Sequence, residues 1–414
     1  VEASEDDGGV LTAEAVEQAL DRGLAGRFTG ERVLAVIPDH TRSLPLPWLF
    51  RRVTDLLGDS RGLQAVVALG THPPLDPAAR DALVGRHEHQ PPPCPRPQNH
   101  AWQDPEALTR IGTLTQDRLR AIAGERWHPS LGDDVPVRIN RLVLEADRIV
   151  IVGPTFPHEV AGFSGGAKYL FPGLSGPEMI DVSHWLGALG GVLDTIGVSD
   201  TPVRSMIHAA ADMVDTPVTL VAPVVVDHNE LAGMFIGDPV GAWRAATDLS
   251  ARRHVIRVDR PFERVLSWAP PMYDELWTAA KAAYKLEPVV APGGELIVYA
   301  PHLAEISRVH GRDIRRVGYH VLDYFLAQWD SFSEVPLAVL AHSTHLRGAG
   351  TFVEGVERPR ATVTLASRIP REECERIGLG YADPASIRPE DWQDRESEGV
   401  LFVPRAGETL YRLR

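Results

Sequence analysis

The sequence predicts an α/β protein with mainly parallel sheets in two α/β domains. Three observations carry this. RVLAVIP (32–38), LQAVVALG (63–70) and RIVIVG (148–153) are short, continuously apolar runs, as expected of strands covered on both faces. Helix-like stretches alternate with them, the pattern of βαβ units. The chain has 414 residues, which favours two domains over one.

Taken in order, residues 1–9 are acidic and polar and are expected to be disordered. Leu11, Val16, Leu20 and Leu24 recur at helical spacing over 11–24. After the 32–38 strand, DHTRSLPLP leads to a helix over 48–57. After the 63–70 strand, THPPLDP leads to a helix over 78–84. QPPPCPRPQ (90–98) reads as stiff and extended, delivering Asn99 and His100 into a loop. TPVTLVAPVVV, within 201–226, supplies another strand or two, and 240–253 reads as a helix. The proline-rich RPFERVLSWAPP marks a boundary near 259–271, which sets the domains at 1–262 and 263–391. Beyond it the reading is a helix over 273–284, a strand over 294–300, a helix over 317–329 and a strand over 336–341. A strand over 361–367 and a helix over 371–377 follow, and 392–414 is expected to pack back onto the first domain.

Composition bounds the function. Hydrophobic content of 44% suffices for substantial cores. A formal net charge of -14 and the lack of a basic face argue against nucleic acid as a partner. Two cysteines, Cys94 and Cys374, exclude a disulfide framework and disfavour a cysteine metal site. With sixteen histidines, a transition metal would sit on imidazole nitrogen. No apolar run reaches the ~18 residues of a membrane span, and the acidic N-terminus is unlike a signal peptide. The expectation is a cytoplasmic protein without a membrane partner.

The candidate chemistry lies in short motifs after strands. In open parallel sheets that edge is where ligands bind. Asp39-His-Thr41-Arg42 offers an arginine fork suited to carboxylate or phosphate, or else a capping Asp with a solvated Arg. Gly70-Thr-His72 occupies an equivalent strand end. His100 could serve as a general base or sit on the surface. The stretch from Pro157 to Trp185 holds His158, Lys168 and His184 with Gly162, Ser164, Gly165, Gly166 and Ala167. Glycines after a strand let backbone N–H groups converge on an anion. Ala167 before Lys168 and Tyr169 after it break the Walker pattern, and the glycine spacing fails the Rossmann fingerprint. Lys281, after Trp277 and Thr278, could reach an anion across a cleft or be a solvated helix lysine. His345 and Arg347 also follow an expected strand, without an assignable role.

Together, and in this order along nearly the whole chain, these motifs resemble the nickel-pincer-nucleotide lactate racemase family. The most specific part is His158-Glu-Val-Ala-Gly-Phe-Ser-Gly-Gly-Ala-Lys168 with His184 sixteen residues on. The resemblance implies an active site between the two domains. It implies a nickel-pincer nucleotide (nickel pyridinium-3,5-bisthiocarboxylic acid mononucleotide) whose sulfur, carbon and sulfur hold nickel, made by dedicated cofactor-synthesis enzymes. His184 would be the protein's nickel ligand, and Lys168 would hold or tether the cofactor. Asp39, Thr41, His72, Ser164, Gly165 and Gly166 would help bind the nucleotide. His100 and His158 would be the acid/base pair, with Arg42 and Lys281 on the substrate carboxylate.

The implied reaction is racemisation or epimerisation of a small-molecule 2-hydroxy acid through a 2-keto acid, by reversible hydride transfer from the α-carbon. Where lactate enzymes carry Tyr and Gln, this chain carries Trp277 and Thr278, so the expected substrate is a 2-hydroxy acid other than lactate. A net oxidoreductase with the same hydride chemistry, or a cofactor-binding protein without catalysis, are the alternatives.

Overall fold

A computed structural model describes the chain except residues 7, 87–93 and 228. Residues 90–93 of the proline run therefore lie outside the described residues.

The first sheet has seven strands. They are β1 (Glu2–Glu5), β2 (Arg32–Ile37), β3 (Gly62–Val67), β4 (Gln98–Asn99), β5 (Arg148–Val152), β6 (Val218–Asp227) and β7 (Glu230–Gly237). Their spatial order is β1-β7-β6-β5-β2-β3-β4. The pairs from β6 to β4 are parallel, while β7 runs antiparallel to both neighbours. The continuous apolar runs are explained by burial on both faces. Val36, Val66 and Ile151 face one core, and Ile37, Val67 and Val152 face the other. Strand order reverses between β2 and β5, since β3 lies on one side of β2 and β5 on the other. Loops leaving β2, β3 and β5 therefore meet at a topological switch point, where such sheets place ligands.

The second sheet is wholly parallel: β8 (Phe262–Trp268), β9 (Val290–Ala300), β10 (Thr362–Ser367), β11 (Gly380–Ala382) and β12 (Val400–Val403), in order β11-β10-β9-β8-β12. Helices α1 (Pro177–Gly190) and α2 (Leu337–Arg347) pack on each other between the sheets. One apolar cluster runs unbroken from Val36 of β2 through Trp185 and Val339 to Val298 of β9.

Several expectations need correction. Residues 2–5 are not disordered, because they pair as an edge strand with β7, Glu2 opposite Ile236. Residues 336–341 form no strand, since Leu337 begins α2, with Pro336 at the N-cap position. A fully buried apolar run has no periodicity to separate helix from strand. The helix over 317–329 is broken, with Gly311–Val317 ending at Gly318 (φ 74°) and a new helix over Leu322–Ala327. The helix over 273–284 is two single turns, Leu276–Ala279 and Lys281–Tyr284. Asn99 sits in an edge strand rather than a loop, and His100 follows it directly.

Of the segment 392–414, Val400–Val403 joins the second sheet beside β8 and not the first. Further on, Arg405 pairs with Asp227 at 2.8 Å and Leu410–Leu413 pairs with Val255–Val258. No helix among the described residues is long and apolar enough to cross a membrane.

Candidate functional site

A cleft of about 930 Å³, counting its solvent-open mouth, lies where the ends of β2, β3 and β5 face α1, α2 and the turns at 276–284. It gathers Asp39, Arg42, His72, His158, Ser164, Gly165, Lys168, His184, Trp277 and Lys281 on one wall system. Thr41, Gly166, Thr278 and His100 are not on that wall.

The loop after β2 is organised by Asp39. Its Oδ1 accepts from the Thr41 N–H (3.0 Å) and the Thr41 hydroxyl (2.7 Å). Its Oδ2 is held by His72 Nδ1 from the loop after β3. The Thr41 hydroxyl in turn accepts from Arg42 (3.1 Å) and from Lys281 Nζ (3.3 Å) across the cleft. Burial alone would raise Asp39, but His72, Arg42 and Lys281 outweigh it and hold the carboxyl well below its usual range. Burial, then the Arg42 charge, pulls Lys281 well below a normal lysine. Two cationic side chains thus converge beside one fixed carboxylate, leaving their remaining donors for an anion.

The segment after β5 makes a small hairpin, Pro157–His158 against Gly162–Phe163, then a single turn over Gly166–Tyr169. The Ser164 hydroxyl accepts from the Phe156 N–H at 2.9 Å, so it staples the loop. Gly165 and Gly166 have φ of 82° and 62°, conformations that glycine adopts without penalty. A Cβ at Gly166 would stand 2.9 Å from Trp243 Cγ, so this glycine serves packing against Trp243. At Gly162 (φ 77°) a Cβ would stand 1.7 Å from Val198 O. Gly162→Ala is therefore expected to destabilise the protein by roughly 3 kcal/mol or more, read as a lower denaturant midpoint.

Lys168 leaves this turn into the cleft. Burial and the nearby Arg42 charge push its amine down to about 7, so a substantial fraction is neutral and nucleophilic near neutral pH. Burial, then the charges of Lys168 and Arg42, holds His158 well below its ordinary value, so it is a neutral imidazole. Its Nδ1 accepts the Val160 N–H at 3.1 Å and lies 3.3 Å from Glu159 Oε2. His184, on α1, has Nδ1 at 2.6 Å from Ile180 O. Nδ1 must carry the proton there, which leaves the Nε2 lone pair free, the arrangement of a metal-ligating histidine.

His100 stands behind the cleft. Its Nε2 is 2.9 Å from Ser175 O, its Nδ1 is 3.1 Å from Asn140 Nδ2, and the residue is buried. Thr278 turns away to its own helix turn, donating to Glu275 O at 3.0 Å. Trp277 does line the cleft, its ring stacked between His310 (4.2 Å) and His342 (4.1 Å).

Sequence reasoning missed Glu159, Tyr284, His342 and a role for His345 as lining residues. Tyr284 lies three residues after Lys281, on the same helical face. His342 and His345 share that spacing, which the expected strand at 336–341 concealed.

Many of these histidines are buried and neutral. Burial pushes His100, His184, His254, His310 and His345 down to about 4, and His342 to about 3. Their folded values lie below the unfolded value near 6.5, so only the unfolded chain takes up these protons between about pH 6.5 and 4. Stability is thus lost as pH falls through that window. Calorimetry of the cofactor-free protein is expected to show the melting temperature dropping steeply from pH 7 to 5. A flat profile would mean these rings are solvated.

Comparison with known proteins adds the following. Residues 130–191 match the family model described as the lactate racemase N-terminal domain. The chain is 25% identical over 301 residues to the lactate racemase of Lactiplantibacillus plantarum, covering 69% of this chain and 65% of that protein. It is 24% identical over 292 residues to the lactate racemase of Thermoanaerobacterium thermosaccharolyticum, covering 68% and 61%. The matches thus span somewhat less than two thirds of these relatives' lengths. Among solved structures, a structural-genomics protein from Thermotoga maritima superposes with a TM-score of 0.91 at 31% identity, covering 99% of this chain and 100% of that one. The lactate racemase apoprotein of T. thermosaccharolyticum superposes at 0.70 and 16% identity over 96% and 92%, which speaks to the fold.

Proposed function

Because this chain belongs to the lactate racemase family, we propose that it is an isomerase that racemises or epimerises a 2-hydroxy acid with a nickel-pincer nucleotide. The observation that carries this reading is the convergence of His158, Lys168, His184, Arg42 and Lys281 on one cleft. It brings a neutral base, an amine, a free imidazole lone pair and two carboxylate binders within reach of one small molecule.

The residues present fit the cofactor. It brings sulfur and carbon donors of its own, so one protein ligand suffices, and His184 offers a single oriented Nε2. Among the described residues no group of three or more His, Cys, Asp or Glu could hold a metal by itself. Gly70 (φ 56°) lines the cleft, and a Cβ there would meet no atom within 4 Å. Backbone at that strand end is therefore open to close approach by the nucleotide. The neutral fraction of Lys168 suits a thioamide link. The group supplies a reversible hydride acceptor for the α-carbon. We assign 1–262 to holding it and 263–391 to closing over the substrate, in a cytoplasmic protein dependent on the cofactor-synthesis enzymes.

Arg42 and Lys281 fix the substrate carboxylate, limiting how the planar keto acid can turn. Neutral His158 takes the hydroxyl proton on one face and returns it in the reverse direction. To act as a base through Nε2 the ring must carry its proton on Nδ1, exchanging the bond from the Val160 N–H for one to Glu159 Oε2. His100 is the second acid/base group in this scheme. It must exchange its bond to Ser175 O for one to the substrate, a swap of about 1 kcal/mol.

The test is polarimetry on cofactor-loaded protein with single enantiomers of several 2-hydroxy acids. Loss of optical rotation without build-up of keto acid is expected, and lactate is not expected to be the fastest substrate. Stoichiometric keto acid would point to net oxidation, and loaded protein inert toward every acid would overturn the reading.

A further inference from the structure

The wall of the cleft contributed by α2 is not used by this chemistry. His342 and His345 lie three residues apart on α2 and both line the cleft, 8% and 3% exposed. In each ring one nitrogen is committed. His342 Nε2 lies 3.0 Å from Trp277 O, so it donates its N–H there. His345 is hydrogen-bonded to the backbone of Gly187 on α1. In each ring the other nitrogen, Nδ1 of His342 and Nε2 of His345, is buried without any hydrogen-bond partner among the described residues. A buried polar atom without a partner is uncommon in folded proteins and asks for a reason.

A neutral imidazole that donates through one nitrogen has a bare lone pair on the other. Burial keeps both rings neutral near pH 7. The α2 wall therefore offers two acceptors and no donor. The carboxylate of Glu159 lines the same cleft, and it adds acceptor capacity and repels a second anion. Two acceptors beside a carboxylate fit hydroxyl groups, which donate, and reject a further carboxylate, which only accepts. Trp277, clamped in its stack between His310 and His342, gives this part of the cleft a rigid apolar face suited to the C–H side of a polyol chain.

From the two unpartnered imidazole nitrogens of His342 and His345 beside Trp277, we infer that this wall is a subsite for the distal hydroxyl groups of a polyhydroxylated 2-hydroxy acid. The inference rests on the proposed isomerase reading and narrows its substrate class. A site that hydrogen-bonds a substrate hydroxyl discriminates strongly against the analogue lacking it, because its own buried groups are then left unpaired.

The test has a kinetic arm and a binding arm. In the first, cofactor-loaded enzyme is given an unbranched aldonic acid, the matching acid with a single hydroxyl at C2, and a 2-hydroxy dicarboxylic acid. The aldonic acid is expected to exceed the other two in kcat/KM by about tenfold or more for each hydrogen bond made. His342→Leu and His345→Leu are each expected to shrink the ratio of aldonic to singly hydroxylated acid about tenfold. His342→Asn and His345→Gln place an acceptor near the lost nitrogen, and they should restore part of that ratio, which a merely structural role would not do. A ratio near one in the wild type, unchanged in the variants, or a preference for the dicarboxylic acid, overturns the subsite.

The binding arm titrates the same three acids into cofactor-free protein by calorimetry. Tighter binding of the aldonic acid, weakened in the Leu variants, upholds the subsite even if no acid is turned over, in which case the isomerase reading alone fails. Equal binding of all three acids overturns it.

Discussion

Replacing His158 with alanine is expected to slow interconversion of either enantiomer by about 10³-fold, within the range contributed by a positioned general acid or base. The proposed reaction is reversible through one planar intermediate, so a residue needed in one half of that path would be needed in both directions. Initial rates measured from each pure enantiomer should therefore fall together. His158 is buried beside Lys168 and Arg42, and these hold its ring neutral. A base that is already neutral gains nothing as pH rises through 6.5. The rate is expected to show no loss attributable to His158 between pH 8 and 6, and to fall only in more acid solution. A slope of one below pH 6.5 in the wild type, absent in the variant, would show that His158 is not shielded as the cleft geometry implies.

Glu159 gives this prediction a second edge. Burial would raise its carboxyl, but its surroundings, a backbone N–H and Lys168 among them, hold it lowered. It stays ionised 3.3 Å from His158 Nδ1. Glu159→Gln keeps the volume and removes the charge that favours the Nδ1–H form of His158. We expect a smaller loss, on the order of tenfold in kcat with KM little changed, because the base remains and only its tautomer is less well set.

How much of this was legible beforehand varies by residue type. The loops at 39–42, 70–72 and 157–168 could be placed at one sheet edge because they follow continuous apolar strands, and such strands leave few alternatives. The neighbours of the reacting groups were harder. Ser164 is expected to help bind the nucleotide, and its hydroxyl also accepts from the Phe156 N–H and donates to Pro154 O at 3.4 Å. Gly166 looked like part of an anion loop, yet it clears space for Trp243, seventy-seven residues on. The Trp243 contact has no local signal, because its partner comes from elsewhere in the fold, whereas Phe156 lies only eight residues before Ser164. The α2 histidines were hidden by a different cause. Leu337 to Ala341 is apolar at every position, so helix and strand could not be told apart, and the spacing that places His342 and His345 on one face could not be used. His100 shows the converse case: its place next to a sheet edge was foreseeable, while its two bonds to Ser175 and Asn140 were not.

His184→Ala is expected to leave a folded protein that has lost at least nine tenths of its nickel and all measurable isomerase activity. Alanine is the best helix former, and His184 lies within the fourteen-residue helix α1, so the backbone has no reason to change. Two contacts of Nδ1 are surrendered, one to Ile180 O at 2.6 Å and a long one with Ser183 Oγ at 3.5 Å, and Ile180 O also accepts from the Ser183 hydroxyl at 3.0 Å. It is therefore not orphaned, and thermal stability should move by no more than about 1 kcal/mol. Metal is another matter. On the proposed reading the cofactor would bring three donors and leave one position for the protein, so the substitution would remove the protein's bond to the ion. Elemental analysis together with intact mass separates the two ways of losing nickel. In His184→Ala the nucleotide should remain, held at Lys168 and the loops after β2 and β3, while nickel leaves. In Lys168→Ala the nucleotide and nickel should leave together. Nickel at the native level in His184→Ala would move the ligand elsewhere in the cleft, and the two unpartnered nitrogens on α2 would then be the next donors to test.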